Sequence, residues 1–158
     1  MRPSLALLLL LAASPALAAD WKTYANPRFG YVIELPGDFV TVSEADNGDG
    51  MTLQSKDGKA KLLVFGANLT EENFADDTAR RKQSDRDAGW AISYDKSAKG
   101  WASYSGTRKD RILYVRAVSL CQDAGGYFVL DYPKADAKLY DPVVAHLVKT
   151  LAGPPRCL

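Results

Sequence analysis

From Trp90 to Tyr132 the chain runs in four stretches of alternating apolar and polar residues: Trp90–Tyr94, Trp101–Thr107, Arg111–Cys121 and Tyr127–Tyr132. A period of two marks a half-buried strand, because successive side chains leave opposite faces of the pleat. The links Lys96–Gly100, Lys109-Asp110 and Gln122–Gly126 are short. Parallel neighbours need a crossover of about a dozen residues or more, so these strands must return as an antiparallel meander. Pro133 ends the last of them.

The earlier part of the chain adds strands. Between Arg28 and Leu35, Phe29, Tyr31, Ile33 and Leu35 share one face, and Pro36-Gly37 stops the run. A short strand is expected at Phe39–Val42, and another after the polar run ADNGDG, where Met51 and Leu53 share a face. Asp57-Gly58 suits a two-residue hairpin turn in which both residues take positive φ. Lys61–Gly66 is apolar on both sides, as expected within a sheet.

Two segments break the strand pattern. Over Thr70–Ala88, Thr70 is the expected N-cap, Glu71 and Glu72 occupy the first turn, and Gly89 ends the helix. Its apolar stripe, Phe74, Ala75, Thr78 and Ala79, is narrow, so only a thin edge should be buried. Arg80-Arg81-Lys82 is interleaved with Asp76, Asp77, Asp85 and Asp87, and reads as a solvated face rather than a polyanion site. The second helix lies within residues 134–152, with Asp141 capping, Pro142 at the first helical position, and an end near Gly153. Leu139, Val143, Val144, Leu147 and Leu151 form a broad arc that can pack on a sheet. The expected fold class is α+β: an antiparallel sheet of six or seven strands with helices on its faces, a three-layer sandwich.

The chain opens with one arginine, an apolar run and Ala16-Leu17-Ala18, the anatomy of a secretory signal peptide over residues 1–18. Residues 19–158 are then read as a single domain of about 140 residues, enough to bury about two-thirds of its unfolded surface. Loss of Arg2 leaves its acidic and basic residues balanced, so nothing electrostatic gathers nucleic acid or anionic lipid around it. No membrane anchor is expected after cleavage. Cys121 and Cys157, an even pair in an exported chain, are expected to form a disulfide rather than stand as free thiols. That bridge would close 36 residues and staple the Gly153-Pro154-Pro155-Arg156 tail to the body. In the chain-entropy view it adds at most ~4 kcal/mol.

Tyr24, Asn26, Phe29-Gly30-Tyr31, Pro36, the Asn-Gly-Asp-Gly turn and Ser55-Lys56-Asp57-Gly58 together carry a resemblance. The segment resembles a group of small secreted proteobacterial proteins of unknown function. The order of elements is similar to the PsbP-like fold of photosystem extrinsic proteins. The resemblance implies an antiparallel sheet between helices and an exported, periplasmic location. The same fold occurs in a Ran-binding nuclear transport protein, so it implies docking on other proteins and carries no catalytic residue.

Individual candidates for chemistry fare poorly. An EF-hand loop needs side-chain oxygens at its third and fifth positions. Counting from Asp46, those are Gly48 and Gly50, so ADNGDG reads as a turn, although Asp46 or Asp49 could join a site assembled in space. His146, the one histidine, sits at the edge of the apolar arc and reads as a partly exposed helix residue. A zinc site would need both cysteines or several carboxylates beside it. No Gly-x-Ser-x-Gly elbow, P-loop or dinucleotide fingerprint occurs. Asn68-Leu69-Thr70 fits a glycosylation sequon but reads as the lead-in to a helix. Trp21, Trp90, Trp101 and eight tyrosines should pack as core or cross-strand pairs. Tyr104 and Trp101 leave opposite faces of one strand, so a sheet face left uncovered would present an aromatic surface.

The resulting expectation is an exported, non-enzymatic binding or accessory module without cofactor or metal. Its partner would be another periplasmic or envelope protein. The alternatives are a small hydrolase built from scattered carboxylates and serines, which needs a polar cleft, and a soluble carrier, which needs an enclosed apolar pocket.

Overall fold

A computed structural model describes residues 20–157. The segment read as a signal peptide lies outside the described residues. Nine strands and two α-helices follow in the order β1 (Trp21–Ala25), β2 (Val32–Pro36), β3 (Phe39–Glu44), β4 (Gly50–Ser55), β5 (Lys61–Asn68), α1 (Phe74–Asp87), β6 (Ala91–Ala98), β7 (Trp101–Arg108), β8 (Arg111–Leu120), β9 (Ala124–Pro133) and α2 (Ala137–Thr150). Seven strands form one antiparallel sheet in the order β3-β4-β5-β9-β8-β7-β6, while β1 and β2 form a separate ribbon. The meander read from the sequence is β6 to β9. Pairing of β9 with β5 along eight residues joins it to the β3–β5 half.

The alternation in β2 is realised fully: Tyr31, Ile33 and Leu35 are buried while Val32 is exposed. Their partners are not in the main sheet. The β1–β2 ribbon lies with α2 over one sheet face, and Tyr31, Ile33, Leu62, Val64, Phe128, Leu130, Leu147 and Leu151 form the principal core there. Helix α2 is fastened to the ribbon by the Val32–Ala152 bridge and by the Glu34 N–H, which donates to Thr150 Oγ1 at 3.2 Å. On the opposite face α1 lies over Ala102, Ala117, Phe65 and Tyr127. Small side chains on β7 and β8 let the helix approach closely. The result is the expected three-layer α+β sandwich.

Several local expectations need correction. Asp57-Gly58 is not a two-residue turn. Only Gly58 has positive φ, and the Ser55 N–H to Ala60 carbonyl bond closes a longer loop. The Ser55 hydroxyl donates to Asp57 at 2.6 Å and stabilises that loop instead. The β6–β7 strands extend to Ala98, leaving Lys99-Gly100 as their connection. Helix α1 is capped by Asn73, whose Oδ1 accepts the Asp76 N–H at 3.0 Å. Thr70 lies outside the helix because its N–H and hydroxyl are spent on Asp77. Helix α2 begins before Asp141, following a 3₁₀ turn at Lys134–Asp136, so Pro142 is inside it. Tyr140, buried on Tyr132 at 4.9 Å between ring centroids, sets the helix's phase and turns Leu139 outward to 60 % exposure.

Cys121 and Cys157 are bonded, with 5.4 Å between their Cα atoms, and hold the tail against the end of β8. No helix among the described residues is long and apolar enough to cross a membrane.

Candidate functional site

The ADNGDG run is a turn tied to the N-terminal loop. Gly48 takes φ 76°, and its N–H donates to the Ala45 carbonyl at 2.9 Å. Buried Asn26 donates to the carbonyls of Gly48 and Asp49, and its Oδ1 accepts the N–H groups of Arg28 and Phe29. Arg28 pairs with Asp49 at 2.8 Å, and the Tyr31 hydroxyl donates to the Asp49 carbonyl. Phe29 lies against Gly66, where an added Cβ would meet its ring at 2.3 Å. Some of the residues behind the sequence resemblance, Asn26, Phe29, Tyr31 and the Gly48-Asp49 turn, therefore form one structural knot between two loops, while residues 55–58 close the separate β4–β5 loop. Asp46 and Asp49 join no group of three or more potential metal ligands among the described residues.

His146 is partly exposed, as its position on the helix suggested. Its ring stacks on Trp21 with centroids 3.7 Å apart and meets Glu34 at 2.5 Å. This trio joins ribbon to helix.

The basic cluster of α1 departs from expectation. Asp77, read as part of a solvated face, has 0 % exposure. It accepts from the Thr70 N–H and hydroxyl, Arg80, Arg81 Nε at 2.6 Å and the Tyr127 hydroxyl at 3.0 Å. Burial opposes its charge, but hydrogen bonds from Arg81, Thr70 and Tyr127 win and hold its carboxyl well below the usual range. Burial pushes the Tyr127 hydroxyl up to about 12, so it stays a donor. Arg81 also lies over the Tyr127 ring at 4.3 Å. Next to this network is a cleft of about 200 Å³ containing Ser84, Asp85 and Tyr104, where the Tyr104 hydroxyl donates to Asp85 at 2.6 Å. Asp77, Asp85, Tyr104 and Tyr127 already have partners, and they fasten a helix whose apolar edge is too thin to do so alone.

A groove of about 460 Å³ lies between α1 and β6–β7, and another of about 360 Å³ adjoins Phe29 and Cys121. Both are open to solvent.

On the α2 side, the helix and ribbon cover β5 and β9 and reach β8, leaving the β6–β7 flange open. Strand register places three rows of side chains there: Tyr94, Ser105 and Tyr114; Lys96, Ser103 and Arg116; Ala98, Trp101 and Val118. In the first two rows a serine on β7 lies between the large side chains of β6 and β8. Tyr94 is 37 % exposed, and its ring stacks with Tyr114 at 6.2 Å, which in turn stacks on Phe128 at 6.0 Å. The Arg116 guanidinium lies 4.3 Å over the Trp101 ring, and Nη1 donates to Ser103 Oγ at 3.0 Å. Arg116 Nε is shielded from solvent and has no acceptor among the described residues. Burial lowers the affinity of Arg116 for its proton, while nearby Tyr114 and Tyr94 act in the opposite direction. Most aromatics read as core are core, including Trp90, Tyr104, Tyr127 and Tyr132. Trp101 was legible as a face residue; Tyr94, Tyr114 and Arg116 were not singled out, although their alternation could have placed them on this face.

No family model and no curated protein sequence matches the chain. Solved structures do. The solution structure of cyanobacterial PsbP (CyanoP) from Synechocystis sp. PCC 6803 superposes with a TM-score of 0.64 at 11% identity, covering 89% of this chain and 96% of that one. A mutant of the protein Mog1 superposes at 0.60 with 8% identity, covering 84% and 95%. At such identities the likeness carries the fold and no residue's role. The described chain has a PsbP-like fold.

Proposed function

We propose that this is an exported, non-enzymatic accessory module that docks on another protein of the periplasm or envelope through the open face of β6–β8. The observation that carries this reading is the cluster of Tyr94, Trp101 and Tyr114 around Arg116 on a sheet face that α2 leaves uncovered. Aromatics and arginine are the residue types that dominate binding energy at protein interfaces. Export is supported by the leader-like first 18 residues and by the Cys121–Cys157 bridge, which suits an oxidising compartment. A carrier would be favoured by an enclosed apolar cavity, and the principal grooves are open. A hydrolase would be favoured by a carboxylate free to move a proton, whereas Asp77 is saturated with donors.

A photo-crosslinking side chain tests the reading when placed at Tyr94, with the exposed Val40 on β3 as control. In the native host the expected result is a discrete protein adduct from position 94 and none from position 40. Equal adducts from both positions, or none from either, would contradict it.

A further inference from the structure

The open face carries charge of one sign only. Acidic side chains are absent from β7 and β8, and the single acid of β6, Asp95, falls in register with Tyr104 on the opposite face, where it pairs with Lys82. On the open face stand Lys96 and Arg116, neither of which has an ion-pair partner among the described residues. Lys96 is exposed and lies 5.9 Å from the Tyr94 ring centroid. Arg116 is partly sunk between Trp101 and Tyr114, with Ser103 occupying Nη1. A partly desolvated guanidinium retains a strong demand for an anion, and its planar fork fits a carboxylate better than an ammonium does.

We infer that Arg116 is the receptor for a carboxylate side chain from an acidic, extended segment of the docking partner, with Lys96 as an outer cation and Trp101 and Tyr94 as flanking walls. This inference rests on the docking reading above and specifies the partner's chemistry. The segment must cross the face rather than extend the sheet. A strand added outside β6 would lie about three interstrand spacings, roughly 14 Å, from β8, beyond the reach of a glutamate toward Arg116. A segment lying over β7 between Trp101 and Thr107 meets Ser103 and Ser105, whose small side chains leave room for it, and partly exposed Ser105 offers a hydroxyl donor. Charge complementarity argues for this occupant over an apolar one, because an apolar partner would bury Arg116 without an acceptor.

The test uses the full chain with its disulfide intact and, as probe, a blocked tetrapeptide containing two glutamates. The Arg116 Nε–H and Trp101 indole N–H resonances are followed during titration at low ionic strength. The expected result is a saturable shift of both signals that the equivalent glutamine peptide does not produce. Arg116→Gln should weaken binding at least tenfold, and Arg116→Lys should weaken it less. Should Arg116→Gln fail to fold, the wild-type titration decides by the location of the shifts. Equal effects from inorganic phosphate or the glutamine peptide, or shifts confined to α1, would overturn the inference. A crosslink through position 94 without any response to the glutamate peptide would leave docking in place and remove the acidic partner.

Discussion

Helices α1 and α2 flank the same sheet yet are held by different physics. Helix α2 presents Tyr140, Val143, Val144, Leu147 and Val148 to the sheet and ribbon in an apolar contact, with Glu34 meeting His146 and Thr150 at the rim of the ribbon. Helix α1 buries only Asp77 and Thr78, and the strongest anchor is a carboxylate clasped by Arg81, Tyr127 and Thr70. Apolar burial is non-directional and tolerates changes of pH. A buried carboxylate is directional, depends on every donor being present, and depends on the proton. A dense array of charges on a helix therefore need not mark a site of chemistry; here it replaces a missing apolar face.

The difference can be broken from either side. Leu147→Ala removes a side chain with 0 % exposure and should cost about 4 kcal/mol, measured by denaturant unfolding. The outward-facing Leu139→Ala should change stability by less than about 0.5 kcal/mol, and a larger effect would refute the phase assigned to the helix. On α1, Asp77→Ala should cost about 3 kcal/mol, at the lower end for a broken buried pair, because Arg81 retains some solvent. A combined change of Asp77→Leu, Arg81→Met and Tyr127→Phe should recover much of that loss, since it removes the buried charge together with the donors that would otherwise be left unpaired.

What the sequence disclosed follows the same division. The alternation of Tyr31, Ile33 and Leu35, the β6–β9 meander and the apolar arc of α2 were legible because each is a periodic local pattern. The depth of Asp77 was not, since its partner Tyr127 is fifty residues away and only pairing of β9 beside β8 and β5 brings it beneath α1. Strand β1 went unread because its exposure alternates weakly and its one partner is β2. The candidate site was half legible. Alternation separates Trp101 from Tyr104, but which part of the face α2 leaves bare is decided by tertiary packing. The Cys121–Cys157 pairing needed no structure to anticipate, since those are the only two cysteines.

The most direct test of unlike attachment is amide hydrogen exchange followed from pH 7 downward, corrected for the intrinsic effect of pH. The folded carboxyl of Asp77 ionises more readily than in the unfolded chain. Its stabilisation is therefore complete above about pH 4, the unfolded value, and is lost as pH falls toward the lower folded one. Protection in α1 should decline before protection in α2 as the solution passes below pH 4. Simultaneous loss in both helices, or earlier loss in α2, would contradict the assignment of α1 to a charge clasp and of α2 to apolar packing.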